Sequence, residues 1–156
     1  MSYKLREVSL PLLPKGHSDI RVLHFSDLHL TPRRKTEIAD IKSFAQLKPD
    51  LVISTGDFLA SKDAVPTVID ALADLFDVPG LFVFGSNDYY APLMKNPFSY
   101  LMKDDGTRKH GEELPWRGLK ASLEQLGWID LTHVKTKIQI KDTLIEARGT
   151  DDAHLM

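Results

Sequence analysis

The chain has 156 residues, no cysteine and a formal net charge of −2. This length fits one domain, and 42% hydrophobic with 27% charged residues is typical of a globular protein. Without cysteine there are no disulfides, thiolate metal ligands or cysteine nucleophile. The small negative charge argues against general nucleic-acid binding and gives no support for a role at a membrane surface.

Neither a secretory leader nor a membrane span is predicted. The start, Met1 to Glu7, lacks the apolar core of a signal peptide, and no uninterrupted apolar stretch approaches the roughly 20 residues of a spanning helix. We therefore expect a cytoplasmic protein.

The first predicted strand covers residues 19–25 and is largely apolar and β-branched, which suggests burial on both faces of a sheet. His24 is expected to be a hydrogen-bonded core histidine, with support of a metal ligand as the alternative. Asp27 and His29 follow the strand as a first motif. Since residues two apart in extended backbone project to the same side, the side chains of Asp27 and His29 could bind one cation together.

Two further predicted strands end in similar polar residues. Residues 49–55 lead into the second motif, Gly56-Asp57, and residues 81–84 lead into the third motif, Gly85-Ser86-Asn87-Asp88. Ligands of open α/β sheets gather at the carboxyl ends of the strands. The three motifs are therefore predicted to share one crevice.

Helical patterns alternate with these strands. Apolar stripes predict helices over residues 38–45 and 65–76, and a third helix over 119–126 with a cap at Gly127. This order favours parallel strands joined by crossovers. After the third helix, residues 136–140 and 144–148 are predicted to pair as a hairpin.

The three motifs resemble the signature of the calcineurin-like metallophosphoesterases, which has D-x-H, then G-D, then G-N-H-D or G-N-H-E. The resemblance implies that Asp27 and His29 hold a first metal, that Asp57 bridges two metals, and that Asn87 binds the second. It also implies an α/β fold, a mixed-sheet sandwich flanked by helices. This chain would supply the first sheet and the start of the second, so the fold is expected to be incomplete at the C-terminal end.

The third motif departs from the family pattern and can be aligned in two ways. Without a gap, Ser86 takes the ligand position and Asn87 that of the catalytic histidine; with a slip of one residue, Asn87 stays the ligand and Asp88 replaces the histidine. Asn87 is the preferred ligand, because an amide oxygen suits hard cations better than a neutral hydroxyl. Asn87 and Asp88 are therefore the catalytic candidates.

The family's later histidine segments do not occur in this sequence. Residues 1–156 are accordingly interpreted as the amino-terminal portion of a calcineurin-like metallophosphoesterase domain. His154 is interpreted either as a ligand brought in from the end or, preferably, as part of a frayed terminus.

The predicted activity is hydrolysis of a phosphoester substrate, with two divalent ions (Mn, Fe or Zn) and a bridging hydroxide as nucleophile. Two alternatives stay open: a truncated or degenerate phosphoesterase that turns over little, and a binding module for a phosphorylated ligand. An incomplete second sheet predicts self-association or a complementing C-terminal segment.

The segment from 89 to 118 is interpreted either as a solvated loop or as a lid whose Lys95, Arg108 or Arg117 meets a phosphate. Arg33 and Arg34, just after the first motif, are better placed for such contact, unless they simply begin an exposed helix.

Overall fold

A computed structural model describes residues 3–91 and 111–152. Four short strands form a parallel sheet in the order β1-β2-β3-β4, and two longer strands form an antiparallel hairpin. The strands are β1 Val22–Phe25, β2 Leu51–Ser54, β3 Gly80–Phe82, β4 Ile129–Asp130, β5 Lys135–Ile140 and β6 Thr143–Arg148.

Helices connect the parallel strands. They are α1 Lys35–Lys42, α2 Val65–Leu72, the short α3 Ser86–Tyr89 and α4 Trp116–Gln125. Helices α1 and α2 each continue as a 3-10 turn, over Ser43–Leu47 and Ala73–Leu75. Helix α4 ends where Gly127 adopts a φ of +91°, a left-handed conformation that suits glycine, so the predicted cap is confirmed.

The sheet lies between two apolar layers. On one face, Val52 and Phe82 pack with residues of the helices, including Ile41, Val68 and Leu119. On the other face, a smaller cluster joins the sheet to the hairpin and contains Leu51, Leu81, Leu131 and Ile140. The parallel sheet, antiparallel sheet and flanking helices confirm the predicted mixed α/β metallophosphoesterase-like fold.

The prediction that the first strand is buried on both faces is wrong. In β1, Leu23 and Phe25 are buried, whereas Val22 and His24 are exposed. On that face the cluster beneath the hairpin includes Leu51 of β2 and Leu81 of β3 but no residue of β1, which lies at the edge of the sheet. His24 is not a core residue, but its Nε2 atom lies within hydrogen-bond distance (3.0 Å) of the Thr55 hydroxyl.

Sequence analysis also missed strand β4. Its two residues, Ile129 and Asp130, pair in parallel with Leu81 and Phe82 of β3. A strand this short has no periodicity of its own, so only its pairing with β3 reveals it.

Candidate metal centre

The three motifs meet at the carboxyl edge of the parallel sheet. Asp27 lies two residues beyond the end of β1, Asp57 three residues beyond β2, and α3 with Asn87 begins shortly after β3. Parallel pairing of β1 with β2 and of β2 with β3 puts these strand ends side by side.

One group of side chains at this edge is arranged for a cation. The ligand atoms of Asp27, His29 and Asp57 all lie within 4.8 Å of one another. His29 Nε2 is 3.7 Å from Asp27 Oδ1 and 3.7 Å from Asp57 Oδ2. Two atoms that bind one Zn²⁺-like ion at about 2.2 Å can be no more than about 4.4 Å apart, so both separations are short enough for a shared ion.

All three candidate ligands have an unusual backbone. The φ angles of Asp27, His29 and Asp57 are +56°, +43° and +60°, in the left-handed region that residues other than glycine seldom occupy. Such a conformation costs about 1–3 kcal/mol per residue and persists only where surrounding contacts impose it. The two side chains of the first motif therefore meet through this turn, and not through the extended backbone that the sequence suggested.

Backbone hydrogen bonds between the first two motifs impose these conformations. The Asp27 N–H donates to the Gly56 carbonyl (3.0 Å), the His29 N–H to the Asp57 carbonyl (2.9 Å) and the Leu30 N–H to the Phe58 carbonyl (2.8 Å). The contact between β1 and β2 thus continues past the ends of both strands.

Two glycines allow the second and third motifs to approach closely. A Cβ atom on Gly56 would lie 2.4 Å from the Gly85 nitrogen, and a Cβ on Gly85 would lie 2.2 Å from Asp57 Oδ1. Gly56 also has a φ of +98°. Both positions therefore need glycine to place Asp57 against the third motif.

Asn87 contacts Asp57 in two places. Its backbone N–H donates to Asp57 Oδ1 (3.0 Å), and its side-chain amide donates to Asp57 Oδ2 (2.8 Å). A metal ligand would present the amide oxygen instead, which a half-turn of the amide group provides. Ser86, the other candidate in this motif, donates its backbone N–H to Asp152 (2.9 Å).

Asp88 lies behind the crevice and is fully buried. Its Oδ1 accepts the N–H groups of Phe58 (2.8 Å) and Leu59 (3.0 Å), and its Oδ2 accepts those of Asp57 (2.7 Å) and Gly85 (3.1 Å). Burial raises the pKa of Asp88 to about 6, against the opposing effect of these hydrogen bonds. The catalytic role expected for Asp88 stays a prediction, and the geometry favours a role in joining the second motif to the third.

Residues from the end of the described chain also reach the third motif. Asp152 accepts the Ser86 N–H, and Asp151 Oδ1 accepts the Tyr89 hydroxyl (2.8 Å). These two bonds hold Asp151 and Asp152, whereas His154, for which a frayed terminus was predicted, lies outside the described residues. The sequence shows two adjacent aspartates here, but it does not show that they contact Tyr89 and Ser86.

The arginine and lysine side chains predicted to contact a phosphate lie in different parts of the chain. Arg34 Nη1 is 3.4 Å from the Leu28 carbonyl, beside the first motif. Arg117 lies on α4 and pairs with Glu113, so it is not part of a lid. Lys95 and Arg108 lie outside the described residues.

The comparisons with known proteins identify the family of this chain. A family model described as calcineurin-like phosphoesterase matches residues 20–151. The chain belongs to the calcineurin-like phosphoesterase family. It is also 29% identical over 133 residues to a Bos taurus protein named "Transmembrane protein with metallophosphoesterase domain". That match covers 82% of this chain and 30% of the relative, so the chain spans about a third of that relative's length.

Membership of the calcineurin-like phosphoesterase family confirms the resemblance drawn from the three motifs. It supports, in general terms, a metal-dependent hydrolase of phosphoesters that uses divalent ions. None of the helices in the described ranges is long and apolar enough to pass through a bilayer.

Proposed function

We propose that this chain hydrolyses phosphoester bonds at a dinuclear metal centre on the carboxyl edge of its parallel sheet. The convergence of Asp27, His29 and Asp57, with Asn87 bonded to Asp57, carries the proposal. Asp27 and His29 would bind one ion, Asp57 would bridge, and Asn87 would bind the second. Mixed carboxylate, imidazole and amide ligands suit Mn, Fe or Zn.

Exposure of the candidate ligands supports this division of roles. The side chain of Asp57 is only 16% exposed, whereas those of His29 and Asp27 are 32% and 65% exposed. The bridging candidate is thus the most enclosed, and its two oxygens face different neighbours: Oδ1 faces the Asn87 backbone and Oδ2 faces both His29 and the Asn87 amide. A carboxylate between two sets of ligands is the arrangement that a bridged pair of ions requires.

When bound, two such ions would activate water as the nucleophile and would neutralise charge on the phosphate. The chain itself orients Asp27, His29 and Asp57, because the left-handed turns and the Gly56–Gly85 contact restrict their positions. The substrate is expected to approach from the open side of the crevice, where Asp27 is exposed.

A second candidate function is the binding of metal or a phosphorylated ligand without efficient turnover. The position of Asp88 favours it. Of the two catalytic candidates, Asp88 is buried among backbone N–H groups, and Asn87 carries an amide that does not titrate. Protonation of the leaving group would then have no source in the third motif.

The test is hydrolysis of a generic aryl phosphodiester with added Mn²⁺, together with calorimetric Mn²⁺ binding. Asp57→Asn is expected to lower turnover on the order of 100-fold or more and to weaken Mn²⁺ binding, because the bridging charge is lost. Asp74→Asn is the matched control, since Asp74 is an exposed carboxylate on the 3-10 turn after α2.

Each outcome separates the two candidates. Turnover that disappears only in Asp57→Asn supports the hydrolase. Mn²⁺ binding without turnover supports the second candidate. If Asp57→Asn keeps normal turnover, the proposed centre is wrong.

A further inference from the structure

The segment after β6 follows a narrow path to the third motif. Gly149 packs against the residues that follow β3 and β4: a Cβ atom there would lie 2.7 Å from Val83 Cγ1 and 2.5 Å from the Leu131 carbonyl oxygen. The Gly149 N–H donates to the Val134 carbonyl (3.1 Å). Only a residue without a side chain fits at this point, so glycine allows the chain to pass close to Val83 and Leu131 on its way to the third motif.

The two carboxylates that follow Gly149 reach opposite ends of α3. Asp152 accepts the N–H of Ser86, the first residue of this helix, at 2.9 Å. Asp151 accepts the hydroxyl of Tyr89, its last residue, at 2.8 Å. Burial and the Asp151 carboxylate raise the pKa of Tyr89, so the hydroxyl keeps its proton and acts as the donor.

Helix α3 depends on such contacts. It has four residues, far fewer than a helix needs to be stable alone. Asn87 lies between the two bonded ends and donates two hydrogen bonds to Asp57. A shift of α3 would therefore change the position of the Asn87 amide relative to Asp57.

We infer that Asp152, assisted by Asp151, is a positioning residue that sets Asn87 against the Asp57 carboxylate. The inference rests on the proposed function, because it assigns Asp152 to the same metal centre. Asp152 acts through the Ser86 N–H and is not itself a catalytic residue. The required chemistry is that of a hydrogen-bond acceptor, not of a metal ligand.

Two substitutions test this role. Asp152→Ala removes the acceptor, whereas Asp152→Asn keeps an amide oxygen that can accept the Ser86 N–H. Glu146→Ala is the control, because Glu146 is a half-exposed carboxylate on β6 that pairs with Lys135 and Arg148. All variants are compared by amide hydrogen exchange without metal, by calorimetric Mn²⁺ binding and by aryl phosphodiester turnover.

In Asp152→Ala we expect exchange of the Ser86 and Asn87 amides to rise about tenfold, with exchange in β2 unchanged, and Mn²⁺ affinity to fall about tenfold, as for other groups that support metal ligands. Asp152→Asn should restore Mn²⁺ affinity to within about threefold of the unmodified chain. This rescue distinguishes positioning from a general loss of stability, which would raise exchange in β2 as well.

Three results would overturn the inference: unchanged Mn²⁺ affinity in Asp152→Ala, failure of Asp152→Asn to restore it, or an equal loss in Glu146→Ala. The proposed function fails separately, if the unmodified chain does not hydrolyse the phosphodiester. Normal turnover in the unmodified chain and in Asp152→Ala would remove only the positioning role.

Discussion

The candidate ligands are held by residues that are not ligands themselves. Gly85 has an extended backbone, with a φ of −108°, so alanine would fit its conformation. The obstacle is steric, because the added Cβ would lie 2.2 Å from Asp57 Oδ1. A side chain at position 85 is therefore excluded by contact with the Asp57 carboxylate and not by backbone strain.

We predict that Gly85→Ala weakens Mn²⁺ binding at least tenfold by displacing the Asp57 carboxylate, and lowers the free energy of unfolding by about 1–3 kcal/mol. Calorimetry and urea unfolding measure the two effects. Gly118→Ala is the control: Gly118 lies in α4 with no heavy atom within 4 Å of an added Cβ, so this change should stabilise by about 0.5–1 kcal/mol. Normal Mn²⁺ binding in Gly85→Ala would contradict the predicted displacement.

Asp88 gives a second prediction at this scale. Asparagine has one acceptor oxygen where aspartate has two, so Asp88→Asn would turn an NH₂ group toward two of the four N–H groups that Asp88 now accepts. We expect a loss of about 2–4 kcal/mol in the free energy of unfolding, measured with urea. The exposed Asp74→Asn should change it by less than about 0.5 kcal/mol. Equal stabilities for both variants would contradict the role of Asp88 in connecting the second motif to the third.

At the scale of elements, one carboxylate ties the hairpin to the start of the parallel sheet. Asp50 Oδ2 accepts the Arg21 N–H (2.8 Å) and the Lys141 ammonium group (2.7 Å). Lys141 lies in the turn between β5 and β6 and also donates to the Asp19 carbonyl (2.6 Å). The backbone bond from Arg21, followed by the contact with Lys141, lowers the pKa of Asp50.

This lowered pKa predicts the direction of an acid effect. Since the folded chain binds the Asp50 proton less readily than the unfolded chain, the stabilisation is complete above the unfolded pKa of about 3.9 and is lost as the pH falls through the folded value. Asp50→Asn should lower the free energy of unfolding at pH 7 by at most about 1 kcal/mol, because the group is near the surface. Urea unfolding from pH 7 to pH 3 should show the difference shrinking with acid; a constant difference would contradict the assignment.

At the scale of the whole molecule, apolar side chains remain exposed along the first described residues. Leu5, Val8, Leu10 and Leu12 are 60%, 65%, 66% and 77% exposed. This segment is not a strand, because the Leu12 N–H donates to the Leu10 carbonyl (2.9 Å) in a tight turn around Pro11. An exposed apolar segment of this kind is suited to packing against another apolar surface.

We therefore propose that the chain self-associates through this segment, with a complementing chain segment as the alternative occupant. Sedimentation equilibrium should show an average mass above that of one chain, and Leu10→Ser with Leu12→Ser should reduce it. Leu144→Ser is the control, because Leu144 is 59% exposed but lies on the hairpin. A single-chain mass at every concentration would contradict self-association.

The sequence alone determined the positions of the three motifs and the order of the elements other than α3 and β4. The apolar stripes of α1, α2 and α4 and the apolar runs that overlap β1, β2 and β3 are local patterns. The candidate ligands Asp27, His29, Asp57 and Asn87 lie within five residues of the strand ends. Parallel pairing then puts those ends at one edge, so the meeting of the motifs could be anticipated.

Only the tertiary structure decided how the ligands are held. The left-handed turns at Asp27, His29 and Asp57 depend on hydrogen bonds between the first two motifs. Asp88 bonds to residues about 30 positions away, and Asp152 to Ser86, 66 positions away. Sequence patterns report periodicity within one element, and contacts between distant segments leave no such pattern. For the same physical reason, the edge position of β1 and the exposure of His24 could not be predicted from the sequence and became known only from the strand order of the sheet.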